Sequence, residues 1–259
     1  MPDTINLHDC NVNVVDTSEY LSKEVIDSYY KFGYVIIPSL LSVDYIDSLM
    51  SASKIQNSEG DKWNGSSLDI SKPIEDLSLH QILVHPTILN LAEVYLEQPV
   101  RIHFGMLAII TANGGNGLPW HQDNMYTKLL GKAINISLAL CDITPEMGTL
   151  WIAPKSHIHG VLDYRINTTT APGHREVTEA PKDSFCVGGL NKGDAVVFDR
   201  QTLHRSLTNS SQMDRYAYAA QYSSVNVRNA EDGMVMHEKI LARDLLASYV
   251  KSESYIQPN

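Results

Sequence analysis

A histidine and an aspartate two residues apart, His121 and Asp123, are the first side chains in this sequence with the types and spacing of metal ligands. If the stretch were extended, both side chains would point to one face, because side chains alternate along a strand. Two such donors and one further imidazole form the facial triad that holds non-haem Fe(II) and leaves other coordination positions open. A surface histidine and aspartate on a loop are the alternative, so the pair needs support from elsewhere in the chain.

The second group of candidates lies between residues 193 and 221. His204 and Ser206 are two residues apart, and from Arg215 onward tyrosines alternate with a face that carries Arg215, two alanines and Gln221. An arginine on such a small face either meets solvent or points into a cavity. In a cavity it needs an anionic partner, because an unpaired buried charge is costly. A dicarboxylate would meet the guanidinium fork in bidentate geometry. An exposed Arg215 and a packing His204 remain the alternative.

Two further patterns bear on a binding site. The stretch 134–140 alternates isoleucine and leucine with small or polar residues, among them Asn135 and Ser137, and such a face suits a ligand cavity. His157 and His159 form a second histidine pair. No third donor stands at a suitable spacing, so a turn-stabilising role for His157 is favoured over a metal site.

Composition limits the classes of function. The chain has 259 residues, 43% of them hydrophobic, and a formal net charge of -10, which argues against a nucleic-acid partner. It contains no run of about 18 apolar residues, so no membrane span is expected. Residues 1–18 do not show the pattern of a secretory signal. The three cysteines are far apart and odd in number, which favours a reducing, cytoplasmic compartment. The sequence leaves the oligomeric state undetermined.

Periodicity predicts the elements that must position these residues. We expect a single domain over residues 1–259, with a flexible lead-in at 1–18 and two long loops, 55–78 and 158–192, as candidate lids. Helical spacing predicts a helix over 19–32 that Gly33 ends, a second helix after Ser42, and a helical stretch over 80–97 that Pro86 divides. The predicted strands are residues 34–37, 100–111, 134–140, 148–157, 195–198 and 215–223.

Four segments, taken together and in order, resemble the phytanoyl-CoA dioxygenase-like (PhyH) family of Fe(II)/2-oxoglutarate-dependent oxygenases. The resemblance spans most of the chain, and the one departure from the family pattern is Lys155, where glycine is usual. The segments are FGYVIIPSLLSVDYIDSL, PWHQD, LCDITPEMGTLWIAPKSHIHG and KGDAVVFDRQTLHRSLTNSSQMDRYAYAAQY.

The resemblance implies roles for individual residues and a fold. His121, Asp123 and His204 would bind Fe(II). Arg215 would pair with the distal carboxylate of 2-oxoglutarate, Ser206 would donate a hydrogen bond to it, and Asn135 is a further candidate contact. The implied fold is mainly β with flanking helices (α+β), a double-stranded β-helix or cupin-like jelly roll, with the N-terminal helices packed on one sheet.

The reaction implied by the resemblance consumes O2 and 2-oxoglutarate and oxidises an unactivated C–H bond of a small-molecule substrate. Because Asp123 stands where related halogenases have a small residue, we expect hydroxylation, desaturation or cyclisation rather than halogenation. Residues just past the metal ligands and on the cavity strands would contact a small polar or natural-product-like metabolite; the candidates are Met125, Tyr126, Trp151 and Gln221.

Three alternatives stay open. The first is a fatty acyl-CoA hydroxylase of the same family. The second is a hydrolase or isomerase that uses the same donors around Zn²⁺, which gives Arg215 no role. The third is a jelly-roll binding protein without activity, against which the intact donor set argues.

Overall fold

The computed structural model describes residues 15–16, 18–53, 63–69, 72, 74–169 and 171–258. Most of the predicted lead-in, residues 1–18, therefore lies outside the described residues, as do residues 54–62, 70, 71 and 73 of the first predicted lid loop and its approach. Four helices and thirteen strands are described. The helices are α1 (Lys23–Phe32), α2 (Val43–Ala52), α3 (Pro86–Leu96) and α4 (Ala242–Tyr249). The strands are β1 (Tyr34–Ile37), β2 (Trp63–Ser67), β3 (Val100–Ile110), β4 (Leu129–Leu130), β5 (Ala133–Ala139), β6 (Leu150–Ile152), β7 (Tyr164–Ile166), β8 (Arg175–Val177), β9 (Phe185–Cys186), β10 (Ala195–Asp199), β11 (His204–Ser206), β12 (Arg215–Ser224) and β13 (Arg228–Asn229).

Two antiparallel sheets carry the architecture. The major sheet has six strands in the order β1-β10-β5-β12-β3-β2, and the minor sheet has three in the order β11-β6-β9. Strands from both sheets line one cavity: β5 and β12 of the major sheet, and β6 and β11 of the minor sheet. The arrangement is the predicted jelly roll, with two sheets facing each other across a ligand-sized space.

The helices cover the outer face of the major sheet. The apolar face predicted for β5 (Ile134, Ile136 and Leu138) lies in one core cluster with helix residues such as Leu49 and Leu91. The predicted packing of the N-terminal helices on one sheet is thereby confirmed. Because the outer face of β5 packs against the helices, its small and polar face, with Asn135 and Ser137, faces the cavity. None of the described helices is long and apolar enough to cross a lipid bilayer.

Local signals set the first helix and the turn that follows it. The Ser22 hydroxyl accepts the amide hydrogen of Val25 at 3.3 Å and caps α1, and Gly33 ends it with φ 84°. A Cβ at Gly33 would lie 2.3 Å from His157 Nδ1, so this turn needs glycine for both its conformation and its space. His157 Nε2 lies 3.0 Å from the carbonyl oxygen of Tyr30, which agrees with the turn-stabilising role expected for His157.

The predicted strand 148–157 is a strand only at β6 and continues into a 3-10 segment, Ser156–His159, and two of the predicted loops contain strands. The described part of 55–78 contains β2, which pairs with β3 at the edge of the major sheet, and the start of a 3-10 segment, Ile74–Val84. The stretch 158–192 contains β7 and β8, which pair with each other, and β9, which joins the minor sheet. The strands β7, β8 and β9 have only two or three residues, too few to show a period of two, so pairing across the fold rather than local sequence forms them.

Candidate active site

Three buried side chains converge in the cavity beside β11 of the minor sheet. His121, Asp123 and His204 each offer one ligand atom, and these atoms lie within 4.8 Å of one another. The two imidazole rings are 4.2 Å apart between centroids, and His204 Nε2 lies 3.8 Å from Asp123 Oδ1. Among the described residues, these three form the one group of three or more side chains that could hold a metal ion. His157 and His159 are not part of it.

The chain reaches this geometry through a turn rather than the strand considered for residues 119–123. His121 forms a single antiparallel bridge with His204, with both N–H···O distances at 3.0 Å. The backbone then enters a 3-10 turn, Asp123–Met125. Between the two donors, the fully buried Gln122 amide faces away and donates to the carbonyl oxygens of Gly160 and Gln201. These bonds hold the His121–Asp123 loop against Gly160 and against the turn between β10 and β11.

Backbone carbonyls orient both imidazoles. Nδ1 of His121 lies 2.7 Å from the carbonyl oxygen of Pro119, and Nδ1 of His204 lies 3.0 Å from that of Thr202. A carbonyl can only accept, so each Nδ1 carries a proton, and Nε2 is the ring atom left to bind a metal. Burial, followed by the neighbouring His204, lowers the pKa of His121 well below its ordinary value. A neutral imidazole with a fixed tautomer is what a metal ligand requires.

The Asp123 carboxylate is held ionised in a buried place. Burial acts to raise its pKa, but His204, Arg200 and His121, with a hydrogen bond from Asn135, hold the pKa of Asp123 below its ordinary value. Asn135 Nδ2 donates to Oδ2 at 2.9 Å, which leaves Oδ1 on the side of His204. Two imidazoles and one carboxylate on one side of a cavity fit the donor set of a facial Fe(II) site.

Arg215 is a buried cation that faces the same cavity, whose volume is about 390 Å³. It is 9% exposed, its Nη1 donates to the carbonyl oxygen of Gly148, and its Nε has no partner. Burial lowers the pKa of Arg215 to about 10. No described carboxylate forms an ion pair with it. A guanidinium in this position requires an anion from outside the chain.

Ser206 completes this end of the cavity. Its hydroxyl oxygen accepts the amide hydrogen of Leu118 at 2.9 Å, so the hydroxyl hydrogen remains available for a ligand. Ser206 and Arg215 both line the cavity. A carboxylate at this end would therefore meet one cation and one hydroxyl donor, and the pair fits the distal carboxylate of 2-oxoglutarate.

The structure places the four candidate substrate residues in different surroundings. Tyr126 and Gln221 line the cavity. Met125 is 2% exposed and packs in a small cluster with Trp120, while the Trp151 ring lies 4.8 Å from the guanidinium carbon of Arg205. Neither Met125 nor Trp151 is among the described residues that line the cavity.

Several cavity residues escaped the sequence analysis. Arg200 lies four residues before His204, directly after an apolar strand, and is 3% exposed. His103 interrupts the apolar β3, and Lys239 comes from the segment before α4. The signal for Arg200 and His103 was available, since each is a polar residue in or directly after a largely apolar strand. What periodicity could not supply is the direction in which each side chain points.

Comparison with known proteins agrees with this site. A family model described as "Phytanoyl-CoA dioxygenase (PhyH)" matches residues 29–217. Phytanoyl-CoA dioxygenase domain-containing protein 1 of Danio rerio is 34% identical over 114 residues, which are 40% of this chain and 38% of that protein. L-proline trans-4-hydroxylase of Streptomyces griseoviridis is 27% identical over 166 residues, 54% of this chain and 60% of the relative. The matched part is thus less than two thirds of the length of either relative.

Solved structures share the fold at low sequence identity. The epimerase SnoN, in a complex with Fe3+, alpha ketoglutarate and nogalamycin RO, has a TM-score of 0.64 and 20% identity, covering 82% of this chain and 86% of that one. EvdO2 from Micromonospora carbonacea var. aurantiaca, complexed with 2-oxoglutarate, has a TM-score of 0.66 and 18% identity, covering 82% and 94%. These likenesses show the jelly-roll fold.

Proposed function

The chain belongs to the phytanoyl-CoA dioxygenase (PhyH) family, and on that premise we propose that it is a non-haem Fe(II)- and 2-oxoglutarate-dependent dioxygenase that oxidises a C–H bond of a small metabolite. One observation carries the proposal. The buried donors His121, Asp123 and His204 share a single cavity with Arg215, a buried cation that has no anionic partner in the described chain. A metal site alone would not require this cation, whereas a metal site that also binds 2-oxoglutarate would.

The cavity residues would have separate roles in binding the metal and the cosubstrate. His121, Asp123 and His204 would hold Fe(II), and Arg215 with Ser206 would bind the distal carboxylate of 2-oxoglutarate. When bound, Fe(II) and 2-oxoglutarate supply the activation of O2 and the electrons that it consumes. The carbonyl oxygens of Pro119 and Thr202 fix the imidazole tautomers. Apolar side chains of the cavity wall exclude water from the reacting atoms; they include Phe104, Met106, Leu118, Leu150 and Phe198.

Cavity size supports a small substrate over a fatty acyl-CoA. A volume of about 390 Å³ must hold both 2-oxoglutarate and the oxidised part of the substrate, and it lies at the lower end of ordinary ligand pockets. The L-proline trans-4-hydroxylase among the relatives acts, by its name, on a small amino acid. We infer hydroxylation, desaturation or cyclisation in specialised metabolism as the reaction class. The cytoplasmic location stays a prediction from cysteine content.

The whole chain would then act as one dioxygenase domain, with the segment 158–192 as a lid. Support comes from the cavity mouth, where Tyr126 and His174 both belong to the lining. The Tyr126 hydroxyl lies 2.9 Å from His174 Nδ1, and the Arg175 guanidinium carbon lies 4.8 Å from the centre of the Tyr126 ring. The corresponding role of residues 55–78 stays a prediction.

The test is an anaerobic titration of metal-free protein with Fe(II) and then 2-oxoglutarate, followed by the visible charge-transfer band of the complex. We expect the band in the wild type. Arg215→Ala should raise the dissociation constant for 2-oxoglutarate at least about tenfold, because truncation removes one partner of a buried charge pair. Arg243→Ala, at an exposed arginine of α4, is the matched control and should leave the titration unchanged. If no band appears with Fe(II) bound, the oxygenase proposal fails and the zinc-hydrolase or binding-protein alternatives take its place.

A further inference from the structure

We propose that the cavity end opposite Arg215 is a second anion subsite, which binds a carboxylate of the substrate; the inference rests on the proposed function. Arg200, Gln221 and His103 form the subsite, and all three line the cavity. They are 3%, 7% and 8% exposed. The geometry therefore assigns the enzyme to small carboxylic acids.

Arg200 is under-satisfied for a buried guanidinium. Its Nη1 donates to the Gln221 side-chain oxygen and its Nη2 to the main-chain oxygen of Asp123 at 3.1 Å. Both acceptors are neutral groups, and Nε has no partner. A guanidinium carries five N–H donors in a planar fork that matches a carboxylate. Three of the five therefore lack an acceptor in the described chain.

The neighbouring carboxylate does not face the cavity. Asp199 precedes Arg200, but it follows Phe198, whose side chain lines the cavity, and side chains alternate along β10. Its Oδ1 instead accepts the amide hydrogen of Gln201 at 2.8 Å. Asp199 lowers the cost of burying Arg200 without occupying the cavity-facing side of the subsite.

A β-bulge brings His103 into the subsite. In the pairing of β3 with β12, Phe104 opposes Gln221 and Ile102 opposes Tyr222, so His103 is the extra residue between them. Phe104, Met106 and Ala108 face the cavity by ordinary alternation, while Ile102 packs in the core under the helices. The bulge turns His103 to the cavity side, and its Nδ1 has no partner. Bulges of this kind re-aim side chains beside ligand sites.

The subsite lies beside the metal donors and away from Arg215. Gln221 and Arg215 share one face of β12 six residues apart, which corresponds to about 20 Å along the strand. Gln221 is paired with Asn135, whose amide binds the Asp123 carboxylate, and Arg200 binds the Asp123 main chain. A carboxylate held by Arg200 would thus leave its carbon chain next to the metal donors.

Charge balance supports an anionic substrate. The described cavity lining contains four cationic side chains, Arg200, Arg205, Arg215 and Lys239, and one carboxylate, Asp123. Fe(II) and the two carboxylates of 2-oxoglutarate cancel, so Asp123, which lies close to Arg200, is the one remaining negative charge against four cations of the described lining. Three cations then remain in the lining of a protein whose formal net charge is -10. An uncharged substrate would leave Arg200 with Asp123, which also has to bind the metal, as its counter-ion in the described cavity lining, and such sharing is costly for a buried charge.

The test compares small acids with their amides as ligands of the Fe(II)- and 2-oxoglutarate-loaded protein. The probes are acetate, butyrate, cyclopentanecarboxylate and benzoate, each against its primary amide at equal ionic strength, with the shift of the thermal midpoint as the readout. We expect at least one acid to bind about tenfold or more tightly than its amide, as for a charge-assisted hydrogen bond. Arg200→Gln should bring that ratio to about one, and Arg200→Lys should keep part of it.

Gln221→Glu provides a second variant that keeps the guanidinium. The new carboxylate would neutralise Arg200 inside the cavity, so we expect the acid preference to disappear while the fold persists. If Arg200 had a purely structural role, Arg200→Gln and Arg200→Lys would weaken ligand binding equally. The wild type would then bind each acid no more tightly than its amide. Equal binding of every acid and amide by the wild type overturns the subsite, as does an acid preference that survives Arg200→Gln.

The two proposals fail separately. The charge-transfer band of the wild type reports Fe(II) and 2-oxoglutarate binding and does not depend on the acids and amides. A normal band without acid preference overturns the subsite alone. If the band is absent, the dioxygenase proposal has failed, and the comparison of acids and amides is repeated on metal-free Arg215→Ala protein. An acid preference that depends on Arg200 in that protein supports the subsite. Equal binding of acids and amides in that protein overturns the subsite too.

Discussion

At the scale of single residues, the two oxygens of the Asp123 carboxylate have different partners. Asn135 occupies Asp123 Oδ2 with a hydrogen bond of 2.9 Å, which leaves Oδ1 toward His204. The sequence analysis assigned Asn135 to the cosubstrate. The contact that the structure shows is with Asp123, while the Asn135 Oδ1 has no partner and the cosubstrate contact stays a prediction. We therefore assign Asn135 to the orientation of a metal ligand.

We expect Asn135→Ala to weaken metal binding about tenfold to a hundredfold, because partners that orient a ligating carboxylate are worth that much in affinity. The measurement is a titration of metal-free protein with Fe(II) under anaerobic conditions, or with Co(II) as a spectroscopic probe. Ser137→Ala is the matched control, since Ser137 lines the cavity from the same strand face. An unchanged metal dissociation constant in Asn135→Ala would contradict the assignment.

At the scale of elements, the turn at Lys155 forms although lysine is not the usual residue there. Lys155 stands where glycine is usual, and it adopts a left-handed conformation with φ 63°. The backbone N–H of Lys155 donates to the carbonyl oxygen of Phe32 at 2.8 Å, and its ammonium lies 5.6 Å from the centre of the Phe32 ring. A lysine can hold this conformation at a cost of about 1 kcal/mol when its surroundings determine it. The substitution therefore leaves the 3-10 segment Ser156–His159 in place.

The segment around β8 belongs to the proposed lid, 158–192, and contacts Tyr126 at the cavity mouth. Its contacts with Tyr126 are a hydrogen bond to His174 and a second, at 3.3 Å, in which the Arg175 amide donates to the Tyr126 hydroxyl. Both depend on a single oxygen atom at the cavity mouth. The segment has further polar contacts, because β8 pairs with β7 and the Val177 amide donates to the carbonyl oxygen of Trp120 at 2.8 Å. The Tyr126 hydroxyl is therefore one of several contacts that would hold the proposed lid closed.

We expect Tyr126→Phe to speed amide hydrogen exchange of residues 171–177 by about fivefold, since loss of hydrogen bonds worth roughly 1 kcal/mol raises the open population by about that factor. Exchange followed by mass spectrometry measures the effect. Tyr30→Phe, which removes a hydroxyl bonded to the Tyr95 carbonyl oxygen on the helical side, should leave this segment unchanged. Equal exchange in Tyr126→Phe and wild type would argue against Tyr126 as the latch.

At the scale of the whole molecule, buried histidines make stability depend on pH. His80 Nδ1 lies 2.5 Å from the Tyr218 hydroxyl, and His85 caps α3 by accepting the amide hydrogen of Thr87. Burial lowers the pKa of each from 6.5 to about 4. Between these values the unfolded chain binds more protons than the folded one. The free energy of unfolding therefore falls as pH drops below about 6.5, by at most about 3 kcal/mol for each histidine.

We expect His80→Gln to flatten this dependence, because glutamine keeps a polar partner for Tyr218 and takes up no proton. The measurement is the free energy of unfolding in urea between about pH 7 and about pH 5. His237→Gln, at an exposed histidine, is the control and should keep the wild-type slope. A slope in His80→Gln as steep as that of the wild type would show that another group is responsible for the pH dependence.

Local sequence determined those features that depend on neighbours in the chain. Gly33 ended the first helix and Ser42 began the second, because a left-handed cap and a hydroxyl cap act within one turn. The alternation predicted for 215–223 placed Arg215, Ala219 and Gln221 on one face, and all three line the cavity. The motifs also named His121, Asp123 and His204, which the fold brings within 4.8 Å of one another.

Only the tertiary structure decided what depends on distant partners. The His121–Asp123 pair meets in a turn held by His204 and Gln201, not in a strand. The bulge that aims His103 into the cavity exists because β3 and β12 slip by one residue, which neither strand shows alone. The direction of Arg200 follows from its bonds to Gln221 and Asp123, far along the chain. Propensity acts over a few residues, whereas register and side-chain direction are settled by long-range pairing and packing.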